Sequence, residues 1–509
     1  MPRITRACDA CRTRKVRCDG AHPCAQCSHF DVHCIFSPPE KRKNPIRGRL
    51  VAQVRGEVND SSRGSEARSE KAASTASPES PSPHAQHATT SAPSGTHRPP
   101  YPPEFFAALF SHFDSLVWPV NPIITAEELR GAIANMHASS VDAALAWAFA
   151  SATTFLTTSS RTLQDSQEAS KIDDLMQRSL EAHKQADLVM GDGGRMLEEH
   201  PVTVKRIVTC IFLEISMMAF KRFERSFALL REAITMIQIF KVRGWPATAQ
   251  ETSRLQRLYW EAYIHERFLT IASGYPSILP PLDTGLPLHD PSLPPHIEEG
   301  FNRLISLFKV LDTKFLKYWQ EQQGPARSDV TVEWIESKQA QLDRDEIEAA
   351  DVDQLLRARG KGSLSEFQHA DLFVTRLWLR TILWQVALSN GLLSSVPRQD
   401  AHEGLSLEFP AQRLAVQLQN LVSRLGSVAS ISTQGSGIVQ KLFEITSTVG
   451  EVLALPVGNS RPVGEMMEAR VADFVVLVGW LSQFERIREE QRQYLEEKLN
   501  VLKALYPGI

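Results

Sequence analysis

Six cysteines lie between residues 8 and 34, and they constrain this chain of 509 residues more than any other feature of its sequence. Their spacing is C-x2-C-x6-C-x5-C-x2-C-x6-C, so the pattern C-x2-C-x6-C occurs twice. A C-x2-C step places two sulfur atoms on one turn of backbone, where both can face one metal ion. Each half therefore offers three thiolates, one fewer than tetrahedral zinc requires. The six residues are Cys8, Cys11, Cys18, Cys24, Cys27 and Cys34.

If two of the sulfur atoms are shared, six cysteines complete two tetrahedral zinc sites. Cys8 and Cys24 occupy the first position of each repeat, which makes them the expected bridging ligands. The segment is too short for a hydrophobic core, so we expect metal binding to supply its folding free energy. A disulfide knot or an isolated structural zinc site would also use clustered cysteines, but neither requires basic residues between them.

The charge of the chain is unevenly distributed. Residues 1–50 contain eleven lysines and arginines but four acidic residues, a net charge of +7, whereas the whole chain carries −3. A basic head on an acidic body indicates a polyanionic partner for the head, although charge alone fits a solvated surface equally well. Residues 1–10 are polar and basic, so we expect no signal peptide and reduced thiols. No run of 18 apolar residues occurs, and no membrane span is predicted.

Residues 7–27, ACDACRTRKVRCDGAHPCAQC, closely resemble the fungal Zn(II)2Cys6 binuclear zinc cluster transcription factors. The spacing, the basic run between Cys11 and Cys18, and Pro23 in the middle loop all agree with that family. The resemblance implies two Zn²⁺ ions, with the first and fourth cysteines as the bridges. It also implies a nuclear protein that binds specific double-stranded DNA sequences and works with the RNA polymerase II transcription machinery.

The two halves of the cysteine pattern differ in charge. The first half carries four basic residues between its second and third cysteines and the second half carries no lysine or arginine there, so only the first suits the major groove. The resemblance places Lys15 at the family's base-reading position, where it would contact the guanines of a CGG-like triplet. The alternative is a solvated basic face that serves nuclear import. Phosphate contacts are expected from Arg12, Arg14 and Arg17, and phosphate contacts or nuclear import from Lys41, Arg42 and Lys43.

Composition divides the chain into three regions. Residues 1–50 form the basic head, and residues 51–100 are rich in Ser, Pro and Ala. We expect the second region to be a disordered linker, because it has too few large apolar residues to offset the entropy of ordering. Residues 101–509 have a globular composition and are predicted to form a large all-helical domain, so the fold class is mainly α. No heptad pattern occurs in the linker, so a coiled-coil dimer is not expected, and a homodimer formed by other contacts stays open.

Apolar residues recur with helical periodicity through the third region. Residues 207–220 are apolar on nearly every face and are predicted to form a central core helix, and residues 227–240 carry the broad apolar stripe of a largely buried helix. Clusters of Pro and Gly separate further segments. These further predicted helices cover residues 104–117, 141–156, 172–190, 253–272, 301–320, 345–358, 366–389, 411–425, 437–454 and 465–505.

Three segments also resemble the fungal-specific regulatory, or middle homology, domain that accompanies such zinc clusters. They are residues 110–129, where Trp118 is followed by Pro-Val-Asn-Pro-Ile-Ile, residues 227–240 and residues 257–268. The resemblance implies a regulator that activates a metabolic or secondary-metabolite gene cluster. The alternatives are a repressor and a metabolite-sensing binding module that gates transcription.

No enzymatic activity is predicted, because the sequence contains no HExxH, G-x-S-x-G, P-loop or G-x-G-x-x-G pattern. Trp260 and its aromatic neighbours are interpreted as core residues rather than ligand contacts. Cys210, the seventh cysteine, lies in an apolar helix and is interpreted as an inert core thiol. The adjacent Glu266 and Arg267 are predicted to form a partly buried ion pair.

Overall fold

The computed structural model describes residues 21–24 and, with gaps, residues 101–506. The chain divides into two compact units, Met1–Asp60 and Ser61–Ile509. The predicted linker at residues 51–100 lies outside the described residues. Between residues 101 and 506, the gaps fall at residues 159–165, 190–201, 245, 247, 322–328, 359, 361, 396–400, 425–434, 456–464 and 485–486.

The described residues form fifteen α-helices, numbered here in chain order. Two π-helical turns, Phe113–Val117 and Pro410–Leu414, and a 3-10 helix, Glu403–Leu405, lie between them. The helices are α1 Pro103–His112, α2 Ala126–Asn135, α3 Ser140–Thr157, α4 Ser166–Val189, α5 Val204–Ala219, α6 Phe223–Arg243, α7 Ala249–Ser273, α8 Pro295–Phe308, α9 Thr313–Gln320, α10 Val332–Ala358, α11 Glu366–Ser389, α12 Ala415–Arg424, α13 Gly435–Leu453, α14 Glu465–Leu481 and α15 Glu489–Leu505.

Local side-chain chemistry fixes where several helices begin and end. At α2, the Thr125 hydroxyl accepts a hydrogen bond from the Glu128 N–H, and the Glu128 carboxylate accepts one from the Thr125 N–H. Ser365 and Gln368 form the same reciprocal pair at the start of α11. α7 ends at Gly274, whose φ of 76° is a left-handed conformation that glycine adopts without strain.

Two groups of helices share one hydrophobic core. α3 packs against α4 and α5, and its buried alanines at positions 144 to 152 let these neighbours approach closely. Further along the chain, α13 packs against α11, α14 and α15. Buried hydrophobic residues from Phe106 to Leu502 form one continuous cluster through these helices.

The mainly α fold that the sequence predicts is confirmed. α5 covers all but the last residue of the predicted core helix at residues 207–220, and most of its apolar side chains are buried. α6 contains the predicted helix at residues 227–240. The predictions at residues 141–156, 366–389 and 437–454 agree closely with α3, α11 and α13.

Two segments that were each predicted to form one helix form two helices in the structure. Residues 301–320 belong to two helices, α8 and α9, because the Asp312 carboxylate accepts a hydrogen bond from the Phe315 N–H and starts a new helix there. Residues 465–505 form α14 and α15, and the chain turns between them at Phe484, whose side chain is fully buried in the core.

Two helical segments were missed from the sequence. The capping pair Thr125 and Glu128, which starts α2, is visible in the sequence but precedes a helix of only moderate apolar character. α10 begins at Val332, well before the predicted start at residue 345. In that early part of α10, the buried hydrophobic residues are Ile335 and Leu342, too few to give a clear helical stripe.

Pairing between strands is confined, in the described part of the chain, to an isolated parallel bridge between Ser394 and Ser406. None of the described helices combines the length and the apolar character needed to cross a lipid bilayer. The described part of the second unit, called the helical unit below, consists of helices packed on helices.

Gly450 in α13 has no room for a side chain. A methyl group there would lie 2.7 Å from Cζ and 2.9 Å from Cε2 of Phe474, which is fully buried in α14. We expect Gly450→Ala to lower the free energy of unfolding by about 1–3 kcal/mol, measured by urea unfolding. Gly131→Ala is the control, because a methyl group at Gly131 in α2 would meet no atom within 4 Å. That control should raise helix stability by about 0.5–1 kcal/mol, and equal effects of the two substitutions would contradict tight α13–α14 packing.

Candidate functional site

The structure describes one residue of the predicted zinc and DNA site, Cys24. Its side chain is fully buried, although residues 21–23 beside it are exposed. The peptide bond between His22 and Pro23 is cis. The other predicted site residues lie outside the described part of the chain: Cys8, Cys11, Cys18, Cys27, Cys34, Arg12, Arg14, Lys15, Arg17, Lys41, Arg42 and Lys43.

The donors of this first unit fit zinc. Thiolate sulfur is a preferred zinc ligand, and the cysteine spacing supplies two C-x2-C pairs with a third sulfur six residues after each. Burial of Cys24 next to an exposed loop agrees with a sulfur atom that faces the interior of a small cluster rather than solvent. The segment therefore has the chemistry to hold two zinc ions.

A second candidate site lies in the helical unit, where charged side chains are buried along α7. His265 Nδ1 lies 2.7 Å from Glu214 Oε2 in α5, and His265 Nε2 lies 3.0 Å from Glu261 Oε1 in α7. Both glutamates are almost fully buried. Burial alone would lower the pKa of His265, but the two carboxylates outweigh it and raise this pKa from 6.5 to about 10. His265 is therefore an imidazolium at neutral pH, held between two carboxylates.

This Glu214–His265–Glu261 cluster forms part of the wall of a cavity of about 180 Å³. The cavity lies where α3, α5, α7, α8, α11 and α13 meet, and most of its lining is apolar. A second charged pair faces it, in which Lys441 Nζ lies 3.4 Å from Asp371 Oδ1.

Sequence reasoning missed the cavity, because its residues come from six helices that are far apart in the chain. Two local signals were present in the sequence. Glu214 is the one charged residue between positions 207 and 219 of α5, and Glu261 and His265 are four residues apart, on one face of α7. Neither signal shows by itself that the two helices meet.

The ion pair of Glu266 and Arg267 is fully buried, not partly buried as the sequence suggested. Each residue is 1% exposed, and Arg267 Nη1 lies 3.7 Å from Glu266 Oε2. The Glu266 carboxylate accepts hydrogen bonds from the backbone N–H groups of Ile278 and Leu279. The Arg267 guanidinium donates to the carbonyl groups of Leu279 and Leu311. These bonds, rather than solvent, satisfy the two charges and hold the segment after α7 onto the helix.

Three of the four aromatic residues of α7, Tyr259, Trp260 and Tyr263, are core residues as the sequence predicts, whereas Phe268 is not fully buried. Tyr259 and Trp260 are buried, and each donates a hydrogen bond to a carbonyl group in the segment that follows α7, the first to Pro280 and the second to Gly285. Phe268 is half-buried and contributes to the cavity wall.

Cys210 is buried, and burial raises the pKa of its thiol well above the ordinary value, which agrees with an inert core residue. Its sulfur lies 3.8 Å from His183 Nε2, which in turn lies 2.6 Å from Glu232 Oε1. These three residues are close enough to bind a metal ion. However, Arg206 Nη2 lies 3.5 Å from both His183 Nε2 and Glu232 Oε1, so a guanidinium already occupies the place of a cation.

The similarity of this chain to known proteins covers a short part of its sequence. The family model of the fungal Zn(2)-Cys(6) binuclear cluster domain matches residues 6–43. The ABC-transporter-regulating transcription factor of Aspergillus fumigatus is 47% identical over 47 residues, which are 9% of this chain and 5% of that protein. Activator of stress genes 1 of Saccharomyces cerevisiae is 50% identical over 40 residues, 8% of this chain and 4% of that protein.

A third relative, the xylanolytic transcriptional activator xlnR of Aspergillus niger, is 30% identical over 118 residues. That alignment covers 19% of this chain and 12% of the relative. The chain thus spans between 4% and 12% of the length of these three curated relatives.

The raised pKa of His265 predicts how stability depends on pH. The folded-state pKa of about 10 lies above the unfolded value of 6.5, so this stabilisation is complete below about pH 6.5 and is lost as the pH rises through 10. We expect His265→Gln to lower the free energy of unfolding by about 3–5 kcal/mol at neutral pH, because two carboxylates are left without their cation. Urea unfolding between pH 6 and 10 measures the effect, with His112→Gln, an exposed position in α1, as the control. The same pH dependence in wild type and His265→Gln would contradict the buried imidazolium.

Proposed function

We propose that this chain, whose residues 6–43 form a fungal Zn(2)-Cys(6) binuclear cluster domain that binds two zinc ions, is a DNA-binding transcriptional regulator of the nucleus. The match of that family model to the segment with six cysteines carries the proposal. The curated relatives are named as transcription factors or activators, a class of proteins without enzymatic activity. The excess of positive charge in residues 1–50 supports a nucleic acid as the partner.

In this proposal the six cysteines hold the two zinc ions, and Cys8 and Cys24 each contact both of them. Zinc supplies the cross-links that a segment without a hydrophobic core needs in order to fold. Six thiolates and two Zn²⁺ ions leave a net negative charge, which the adjacent basic residues stabilise. The buried side chain of Cys24 supports its place inside the cluster.

DNA recognition is assigned to the first half of the cluster. Lys15 donates hydrogen bonds to O6 and N7 of guanine in a CGG-like triplet, because its ammonium group matches the acceptors in the major groove. Arg12, Arg14 and Arg17 contact phosphates and fix the position of the domain on the duplex. The basic run that begins at Lys41 contacts further phosphates or serves nuclear import.

Activation is the proposed outcome of binding, since two of the relatives are named activators. The helical unit then acts as the regulatory body of the protein, in line with the resemblance of three of its segments to the middle homology domain. Contact with the transcription machinery, a homodimer and a metabolic or secondary-metabolite gene cluster as target stay predictions.

Lys15→Ala separates base reading from phosphate binding. We expect this substitution to remove about 1–3 kcal/mol of discrimination between a CGG duplex and a scrambled duplex. Lys41→Ala is the matched control, because loss of a phosphate contact weakens binding to both duplexes equally and lowers its salt dependence. Fluorescence anisotropy with the full chain at two salt concentrations measures both quantities. If Lys15→Ala weakens both duplexes equally, Lys15 does not read bases.

A further inference from the structure

The charged groups that line the cavity in the helical unit do not balance. Glu214, Glu261 and Asp371 are acidic, and His265 and Lys441 are basic. Because the two carboxylates beside it keep His265 protonated, the lining carries one more negative than positive charge. The cavity is partly open, but Glu214 and Glu261 are almost fully buried, so a cation that enters it meets a net negative charge that water screens poorly.

Glu261 lines the cavity and is, among the described residues, its carboxylate with an unused hydrogen-bond acceptor. Its side chain is 1% exposed, and one carboxylate oxygen, Oε1, lies 3.0 Å from His265 Nε2. The other oxygen, Oε2, is buried and accepts no hydrogen bond within the described residues. Buried carboxylate oxygens normally accept hydrogen bonds, so Oε2 has an unused capacity. Glu214, in contrast, uses both oxygens, one with His265 and the other with the Ser226 hydroxyl.

The remaining wall suits the apolar part of a ligand. Four aromatic rings line it, and aromatic faces attract ammonium groups as well as hydrocarbon. The Phe308 ring already faces an ammonium group, since Lys441 Nζ lies 5.7 Å from its centroid. The four residues are Phe155, Phe268, Phe308 and Phe367.

The volume limits the size of the ligand. An apolar cavity of about 150 Å³ accepts a molecule the size of benzene, and this cavity measures about 180 Å³. We propose that the cavity binds a small apolar molecule with a protonated amine, about one ring and a short aminoalkyl chain, whose ammonium group donates to Glu261. This site lies wholly in the helical unit, so its occupancy is measured without DNA and does not depend on recognition of DNA by residues 6–43.

Three probes that share a phenylethyl group and differ in the charge of its substituent test the charge preference: 2-phenylethylamine, 2-phenylethanol and 3-phenylpropanoate. Isothermal titration calorimetry with the full chain at pH 7 should show that the amine binds at least ten times more tightly than the alcohol and that the anion does not bind. Equal affinities for amine and alcohol, tighter binding of the anion to Lys441, or no binding of the amine would overturn the proposal. The last outcome would indicate that water alone satisfies Glu261.

Glu261→Gln tests the assigned contact, because it removes the charge and keeps the shape of the side chain. The affinity for 2-phenylethylamine should fall at least tenfold, and that for 2-phenylethanol should stay within twofold. Glu496→Gln, an exposed position in α15, is the control and should change neither affinity. Unchanged amine binding in Glu261→Gln would overturn the assignment. Leu304→Phe provides a second test that keeps every charge: it fills the cavity from α8, so both probes should lose their binding, and retained binding would place the ligand elsewhere.

Discussion

Paired charges buried along α7 hold several irregular segments of the helical unit against this helix. Arg257 lies 3.0 Å from Asp290, and Arg267 donates to two carbonyl groups in neighbouring segments. Glu266 accepts hydrogen bonds from Arg231 and from two backbone N–H groups. Each bond links α7 to a segment that has no regular structure or lies far away in the sequence. Because a buried charge without its partner costs several kcal/mol, these links fix the path of the chain around α7.

The buried charges of α7 also shape the cavity. α7 presents Glu266 and Arg267 to segments that satisfy them, but it presents Glu261 and His265 to a space between helices. His265 and Glu214 satisfy each other there, and one oxygen of Glu261 has no hydrogen-bond donor among the residues that the structure describes. In the proposed zinc cluster, negative charges also need compensation, since six thiolates lie close together in a segment without a hydrophobic core. There the compensation comes from metal ions, whereas in the helical unit it comes from side chains.

Short-range patterns predicted much of this structure. The helical periodicity of residues 207–220 and 227–240 placed α5 and α6, and the burial of Trp260 followed from its apolar surroundings. The break at Asp312 was missed because one capping side chain outweighs an apolar stripe that continues across it. For the sites, the cysteine spacing predicted the binuclear zinc cluster domain whose family model matches residues 6–43, because the whole pattern lies in one short segment. The cavity was not predictable in this way, because the contact of Glu214 with His265 joins residues 51 positions apart.

The zinc content of the full chain, measured after dialysis against metal-free buffer, tests whether the six cysteines hold a binuclear cluster. We expect two zinc ions per chain in the wild type. We expect fewer than two in Cys24→Ser, because the proposed bridging thiolate would serve both ions, and an unchanged two in Cys210→Ala, because that thiol lies in the core of the helical unit. One zinc ion or none in the wild type, or a full two in Cys24→Ser, would contradict a binuclear cluster built by the six cysteines.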